Sequence, residues 1–274
     1  MSNHERAKSY SSFDKLRMSG LGRRHFPHKL LGGIEMPPLI RNYRKVYQPG
    51  GPSVRLVSLE DNPPTCTMTY SVIAPGKTSS HHLHPWEHEV FILEGSGALV
   101  CDGREYPIAA GDAMLIPANV DHVTRNTGRT SIRRIEVNPL AASRNPSAAV
   151  QGVRGTGQPP VVRNLRQIDQ SDGPARPILN AADGAVNYIM AFRSLDPGSV
   201  APNHVHPAEH LAYMMEGGCD LVVDGRAYPV QEGDAVLVQP NAAHEWRSNS
   251  PRRAAWLVLT PDSGTFRPPA LPQK

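Results

Sequence analysis

The sequence predicts an all-β protein of two tandem domains, each a closed or double-sheet assembly of short strands. An internal repeat is the first observation behind this. Residues 82–122, HLHPWEHEVFILEGSGALVCDGREYPIAAGDAMLIPANVDH, and 204–244, HVHPAEHLAYMMEGGCDLVVDGRAYPVQEGDAVLVQPNAAH, align without a gap at a constant offset of 122, with about half of the positions identical. A period this long describes whole domains, not the units of a solenoid. The second observation is that short apolar runs alternate with turn signals and show no helical period, which favours a closed or two-sheet β architecture. Composition agrees, since 23 Gly and 27 Pro with only 6% aromatic residues suit many turns between short strands.

The elements follow in chain order. Residues 1–55 show no clear period and are expected to form an arm with a few short strands. The first domain is expected over 56–140. There Glu89–Leu93 is a short β-rich run ending at Gly95, and Ala98–Cys101 leads through the turn pair Asp102-Gly103 to Arg104–Tyr106. Asp-Gly between apolar runs is a strong hairpin signal, repeated at Asp224-Gly225. Gly111-Asp112 and Gly233-Asp234 mark the next turns, before Ala113–Ile116 and Ala235–Val238. Residues 141–177 read as a linker, rich in Ala, Gly, Pro and Ser at its start, that crosses to the second domain at 178–262. The tail, 263–274, is expected to be irregular because Pro268 and Pro269 supply no ladder donors.

Several function classes fall away. No stretch approaches the roughly 18 consecutive apolar residues of a membrane helix. The N-terminus lacks the apolar core of a signal peptide, and Cys66, Cys101 and Cys219 cannot all pair with one another. A cytoplasmic address is the default expectation. The net charge of +4 is uneven: residues 1–50 hold ten Lys or Arg and three acids, while the remainder holds 19 basic and 22 acidic side chains. The basic balance belongs to the arm, read as a solvated or subunit-packing segment. No basic patch is interleaved with aromatics, so no nucleic-acid partner is expected.

The histidines carry the chemistry. Eight of the twelve fall at matching places: His82, His84, His88 and His122 in the first repeat, and His204, His206, His210 and His244 in the second. In a strand, residues i and i+2 share a face, so His82 pairs with His84, and His204 with His206. His88 and His122 lie beyond turns that let neighbouring strands aim them back. Four neutral imidazoles converging inside a barrel suit a first-row transition ion. His81 breaks the alternation and is expected to face outward. His4, His25 and His28 belong to the arm.

These motifs resemble the cupins in their two-domain, bicupin form. The usual first motif, G-x5-H-x-H-x3-4-E-x6-G, matches Gly76 followed by His82-Leu83-His84. The second, G-x5-P-x-x-H-x3-N, is close to Gly111 through Pro117, although His122 follows Pro117 after four intervening residues instead of two. The resemblance implies two double-stranded β-helix (jelly-roll) barrels over roughly 56–140 and 178–262. Many cupins place a Glu as third ligand. The run HLHPWEH instead resembles a subgroup in which four histidines hold the metal, commonly manganese. By that likeness His88 and His210 are ligands, and Glu87 and Glu209 either support those ligands from behind or sit at the barrel rim. Glu89 competes for the role in the first repeat, but Leu211 takes its place in the second.

Four protein ligands on an octahedral ion leave two positions open, and no cysteine joins either quartet, unlike closed structural zinc sites. The expected cofactor is a divalent transition metal, up to two per chain, with Mn or Fe favoured and Cu, Ni, Co and Zn compatible. Candidate catalytic or lining residues are Glu89 and Trp86 in the first domain, and Tyr213 and Trp246 in the second, with Thr124 opposite Trp246 in the repeat. The resemblance implies a dioxygenase or related oxidoreductase on a small oxygenated or aromatic substrate. Two alternatives are a redox-neutral hydrolase, lyase or isomerase, similar to the ureidoglycine aminohydrolases, and a non-catalytic binding cupin. A small-molecule substrate is expected, with no membrane partner, and a homodimer is compatible with the family.

Overall fold

The computed structural model describes residues 37–144, 155–173 and 175–261. Residues 1–36 of the arm, 145–154 of the linker and the tail lie outside the described residues, and His4, His25 and His28 with them. The chain is all-β, and each repeat forms a six-stranded sheet facing a smaller one. In the first barrel the large sheet runs, edge to edge, Val161–Asn164, Asp112–Ile116, His88–Glu94, Ile132–Pro139, Cys66–Ile73 and Ser53–Val57. Its partner contains Arg104–Ala109, Ser96–Cys101 and His122–Arg125. In the second barrel the large sheet runs Leu39–Asn42, Asp234–Val238, His210–Glu216, Ala254–Pro261, Tyr188–Leu195 and Arg176–Leu179. Val200–His204, His244–Arg247, Gly218–Val223 and Arg226–Gln231 face it.

The turn residues act as the sequence anticipates. Asp102 and Gly103 adopt φ of 47° and 81°, and Asp224 and Gly225 adopt 49° and 85°. Two successive positive-φ residues make the tight hairpin whose twist matches the flanking strands.

Alternation along the strands divides the core in three. Ile73, Val90, Ile92, Met114, Ile116 and Ile132 point into the first barrel, and Ala212, Met214, Val236, Val238, Trp256 and Val258 into the second. The intervening residues point outward on both large sheets and pack together. Met68, Tyr70, Phe91, Leu115, Ile135 and Val137 of one sheet share a single cluster with Tyr188, Met190, Phe192, Leu211, Tyr213, Leu237 and Leu257 of the other. The barrels therefore stand back to back, and Tyr188 OH donates across the seam to the Val137 carbonyl at 2.7 Å.

The strand that precedes each barrel is exchanged with the other. Leu39–Asn42 pairs antiparallel with Asp234–Val238 of the second barrel, and Val161–Asn164 pairs in the same register with Asp112–Ile116 of the first. The repeat thus continues upstream at the same offset. Asn42 Nδ2 donates to Asp234 Oδ1 at 2.8 Å, and Asn164 Nδ2 to Asp112 Oδ1 at 2.7 Å. Arg41 makes a bidentate pair with Asp61 (2.8 and 2.9 Å), as Arg163 does with Asp183 (2.9 and 2.7 Å). Each Asn also accepts from the backbone N–H two residues on, capping a helical turn. Asn164→Ala removes both contacts, and the expected loss is about 1–3 kcal/mol of stability, with a comparable loss for Asn42→Ala. Thermal or urea unfolding measures it.

Candidate metal centre

Three backbone links assemble each histidine cluster. His82 and His122 exchange backbone hydrogen bonds (3.2 and 2.8 Å), and His204 lies opposite His244 in the second barrel. Asn119 N donates to the His84 carbonyl at 2.7 Å, as Asn241 N does to that of His206 at 2.9 Å. Both asparagines take left-handed φ, 59° and 64°, which their short side chains tolerate. His88 and His210 then enter from the large sheet, opposite Ile116 and Val238.

In the second barrel one ring nitrogen from each of His204, His206, His210 and His244 lies within 4.8 Å of the others. His204 Nδ1 meets the Pro202 carbonyl at 2.8 Å and His244 Nδ1 that of Ala242 at 2.9 Å. A ring that donates Nδ1–H to a carbonyl presents its Nε2 lone pair inward, the usual orienting arrangement for a metal ligand. His244 Nε2 is buried with no hydrogen-bond partner. Burial, then the neighbouring imidazoles, hold His210 well below the ordinary histidine range. Burial also lowers His244 to about 4. A cluster of imidazoles that runs from the exposed His204 to the buried His244, with an orphaned ring nitrogen at its inner end, fits a transition ion.

The first barrel brings only three together. His82, His84 and His122 share the same 4.8 Å grouping. Their Nδ1 atoms meet the carbonyls of Ser80, Trp86 and Val120 at 3.2, 2.7 and 2.9 Å. Burial, and then His88, lower His84 to about 3 and His122 to about 2. The His88 ring stays close, 5.7 Å from His84 and 5.8 Å from His122 between centroids, but its Nε2 faces Glu136 Oε2 at 3.5 Å. Glu136 is held by Arg134, 3.0 Å away, and by the Ser71 hydroxyl. Arg134 also donates to Ser71 Oγ at 3.0 Å and Thr124 Oγ1 at 2.9 Å. Arg134, beside it, is the counter-charge that keeps the Glu136 carboxyl well below the usual range despite burial.

None of this polar group survives in the second barrel. At the same offset Ser71, Thr124, Arg134 and Glu136 become Arg193, Trp246, Trp256 and Val258. The two tryptophans stack at 4.8 Å and fill the interior, with Trp246 2% and Trp256 0% exposed.

Of the other expected site residues, Trp86 stacks on His84 at 4.6 Å with 10° between planes, and Trp246 lies inside the second barrel. Glu89 and Tyr213 do not join the centres. His88 and His210 face inward, so Glu89 and Tyr213, at odd spacing from them on the same strands, must face outward into the inter-barrel core. Both Glu89 carboxylate oxygens are buried without a partner, and burial raises the group well above the ordinary carboxyl range. Glu87 is a cross-barrel tether: its carboxylate accepts from Val186 N and Asn187 N, both at 2.7 Å. Glu209 has no such partner pair, because the matching residues are Pro64, which lacks an N–H, and Thr65. His81 faces outward and pairs with Asp121 at 2.6 Å. Arg134, Glu136 and Arg193 escaped the sequence reading; charged residues at inward-facing parity in RRIEV and AFRSL were the available signal.

Residues 69–138 and 191–260 each match the cupin domain, about half of the chain together. The chain belongs to the cupin family. Stretches of the bicupin align with shorter curated proteins. It is 33% identical over 76 residues to the polyketide synthase CurC of Streptomyces cyaneus, covering 27% of this chain and 49% of that protein. It is 33% identical over 66 residues to an oxalate-binding protein of Thermotoga maritima, covering 24% and 54%. The matches span about half the length of these relatives. Among solved structures, the salicylate 1,2-dioxygenase of Pseudaminobacter salicylatoxidans superposes with TM-score 0.64 at 16% identity, over 83% of this chain and 84% of that one. A deletion mutant of Bacillus subtilis oxalate decarboxylase gives 0.65 at 14% identity, over 84% and 78%. These likenesses establish the bicupin fold. No helix among the described residues is long and apolar enough to cross a membrane.

Glu89→Leu copies the residue of the second repeat, Leu211. Glu89 has a raised pKa in the folded state, so its penalty is absent below about pH 4.3 and grows as pH rises above the unfolded value. The substitution is expected to stabilise the protein by about 1–3 kcal/mol at pH 7 and to flatten the alkaline fall in stability. Metal content should not change, because the residue lies outside both centres. Thermal unfolding across pH 4–9, with elemental analysis of the variant, reads both effects.

Proposed function

We propose that this bicupin is a metal-dependent oxidoreductase of the dioxygenase type, acting on a small oxygenated organic substrate. The observation that carries the reading is the second barrel's quartet. It offers four ring nitrogens to one point and no carboxylate or thiolate to close the shell. His204, His206, His210 and His244 would hold the ion there, and His82, His84 and His122 would hold one in the first barrel, with His88 available on turning from Glu136. Mn or Fe is the favoured ion, with Cu, Ni, Co and Zn compatible, since imidazole serves all of them. When bound, such an ion supplies a Lewis acid with open positions for dioxygen or substrate oxygens. The protein's own part is to orient the rings through their Nδ1–carbonyl contacts and to exclude water with Trp246 and Trp256. Similarity in fold to a salicylate dioxygenase, and a 62-residue stretch 36% identical to gentisate 1,2 dioxygenase 1 of Aquipseudomonas alcaligenes, support this class. That stretch covers 22% of this chain and 18% of the relative.

A redox-neutral lyase is the second reading, favoured by the similarity to oxalate decarboxylase. Dioxygen consumption separates the two, because a dioxygenase consumes it with turnover and a lyase does not. Protein purified without added metal is expected to carry about two transition ions per chain, with His84→Ala and His206→Ala each losing one. An oxygen electrode, run over a panel of small aromatic and hydroxy acids, should report uptake that disappears on chelation. Absence of metal even after reconstitution would overturn the reading.

A further inference from the structure

Each barrel encloses one arginine, but the two come from different strands and stand in opposite states. In the first, Arg134 is saturated by Ser71, Thr124 and Glu136. In the second, its place is taken by Trp256, and the cation is Arg193 on the adjacent strand Tyr188–Leu195, directly opposite Trp256. Ala191 and Leu195, two residues to either side, point into the barrel, which fixes the direction of Arg193. Its Nε is buried with no hydrogen-bond partner, and no carboxylate lies within ion-pair distance among the described residues.

Arg193 lines an open groove of ≈ 570 Å³ together with Leu195, Ser199, Asn203 and His204, the last a member of the metal quartet. Asp172 is the acid on this wall, and its carboxylate accepts the Ser199 hydroxyl instead of pairing with Arg193. The Nε of the half-buried Arg193 is thus shut off from water with no internal partner, and Asp172 acts on the guanidinium only through space. Its terminal nitrogens are left to the groove, an arrangement that a bound anion would complete. In the first barrel the internal carboxylate of Glu136 already completes it, and Val258 occupies that position in the second.

We infer that Arg193 is the anchoring residue for a carboxylate-bearing ligand of the second barrel, taking the acid group on its guanidinium while the rest of a small organic acid reaches toward the histidine quartet. The inference rests on the proposed metal site for the ligand's second contact. It assigns the anion subsite to one barrel only. Planar guanidinium and carboxylate meet through two parallel hydrogen bonds, the geometry that makes arginine selective for this group. The groove accommodates acids from two carbons to a single substituted ring.

The test uses the full chain loaded with Co(II), titrated with glycolate and benzoate and, as uncharged matches, glycolamide and benzamide. Calorimetry gives affinity, and the Co(II) visible spectrum reports approach to the metal. Wild type is expected to bind each acid at least tenfold more tightly than its amide. Arg193→Ala should lose about 10- to 100-fold of the acid affinity while amide binding stays as it was. Arg193→Lys should retain part of the preference, and Arg134→Gln should leave it within about twofold. Circular dichroism and cobalt content confirm that each variant is folded and loaded. Acid affinity unchanged in folded Arg193→Ala, or no preference for acids in wild type, overturns the inference. Failure of Co(II) to load overturns the metal reading instead. Quenching of tryptophan fluorescence in metal-free protein, where Trp256 faces Arg193, then decides the arginine's role by the same comparison.

Discussion

Both large sheets are buried on both faces, and the rest of the structure depends on that constraint. Side chains alternate along a strand, so every second residue belongs to a barrel interior and the others to the seam between barrels. A slip of one residue would send histidines into the seam and the seam's aromatics into the barrel. Apolar packing on both sides pins the register: Val90 and Ile92 inside, Phe91 outside, with Met214 and Tyr213 playing the same parts in the second barrel. The histidines are placed by this packing as much as by their own contacts. Burial by the same packing is also the main cause that lowers His84, His122, His210 and His244 below the ordinary histidine range.

Within that shared frame the two interiors have diverged in charge. The first is self-neutralised, an arginine and a glutamate locked together with two hydroxyls beside the histidines. The second has exchanged that group for stacked indoles and moved its arginine to the neighbouring strand. The ligand positions are preserved through the duplication while the walls around them are not, the division expected when one fold supports different site chemistry. Glu87 adds a directional link, since the first barrel's motif grips the loop entering the second and Pro64 prevents the reciprocal grip.

The hairpin turns, the bicupin fold and the clustering of histidines, four in the second barrel and three in the first, were legible because each pattern is written twice at one offset, and coincidence cannot maintain a pattern of that length. Glu89 and Tyr213 were misplaced for the opposite reason: closeness in sequence to a ligand, within a strand, puts a side chain on the wrong face. The exchanged strands were hidden because each is four residues long and pairs with a segment far away in the chain. Their shared Arg-Asn is too short to stand out without the partner in view. His88 could not be distinguished from His210 by motif alone, because what turns it aside is Glu136, on a strand beyond the motif. Arg193 was obscured by its own repeat, whose equivalent residue is Ser71.

The strand exchange also orders the assembly of the chain in time. Leu39–Asn42 emerges early, yet Asp234, which pairs with Asn42, lies 192 residues further on. At translation rates of about 5–20 residues per second, that segment waits roughly 10–40 s for its place. The first barrel needs only Val161–Asn164, whose contact to Asp112 spans 52 residues, and can close much sooner. Nascent chains therefore pass through a stage with one finished barrel and one orphaned β-segment ahead of it. A neighbouring ribosome's product, further along, presents the same docking edge to that segment. Closing the protein on itself is a race against pairing with the wrong copy.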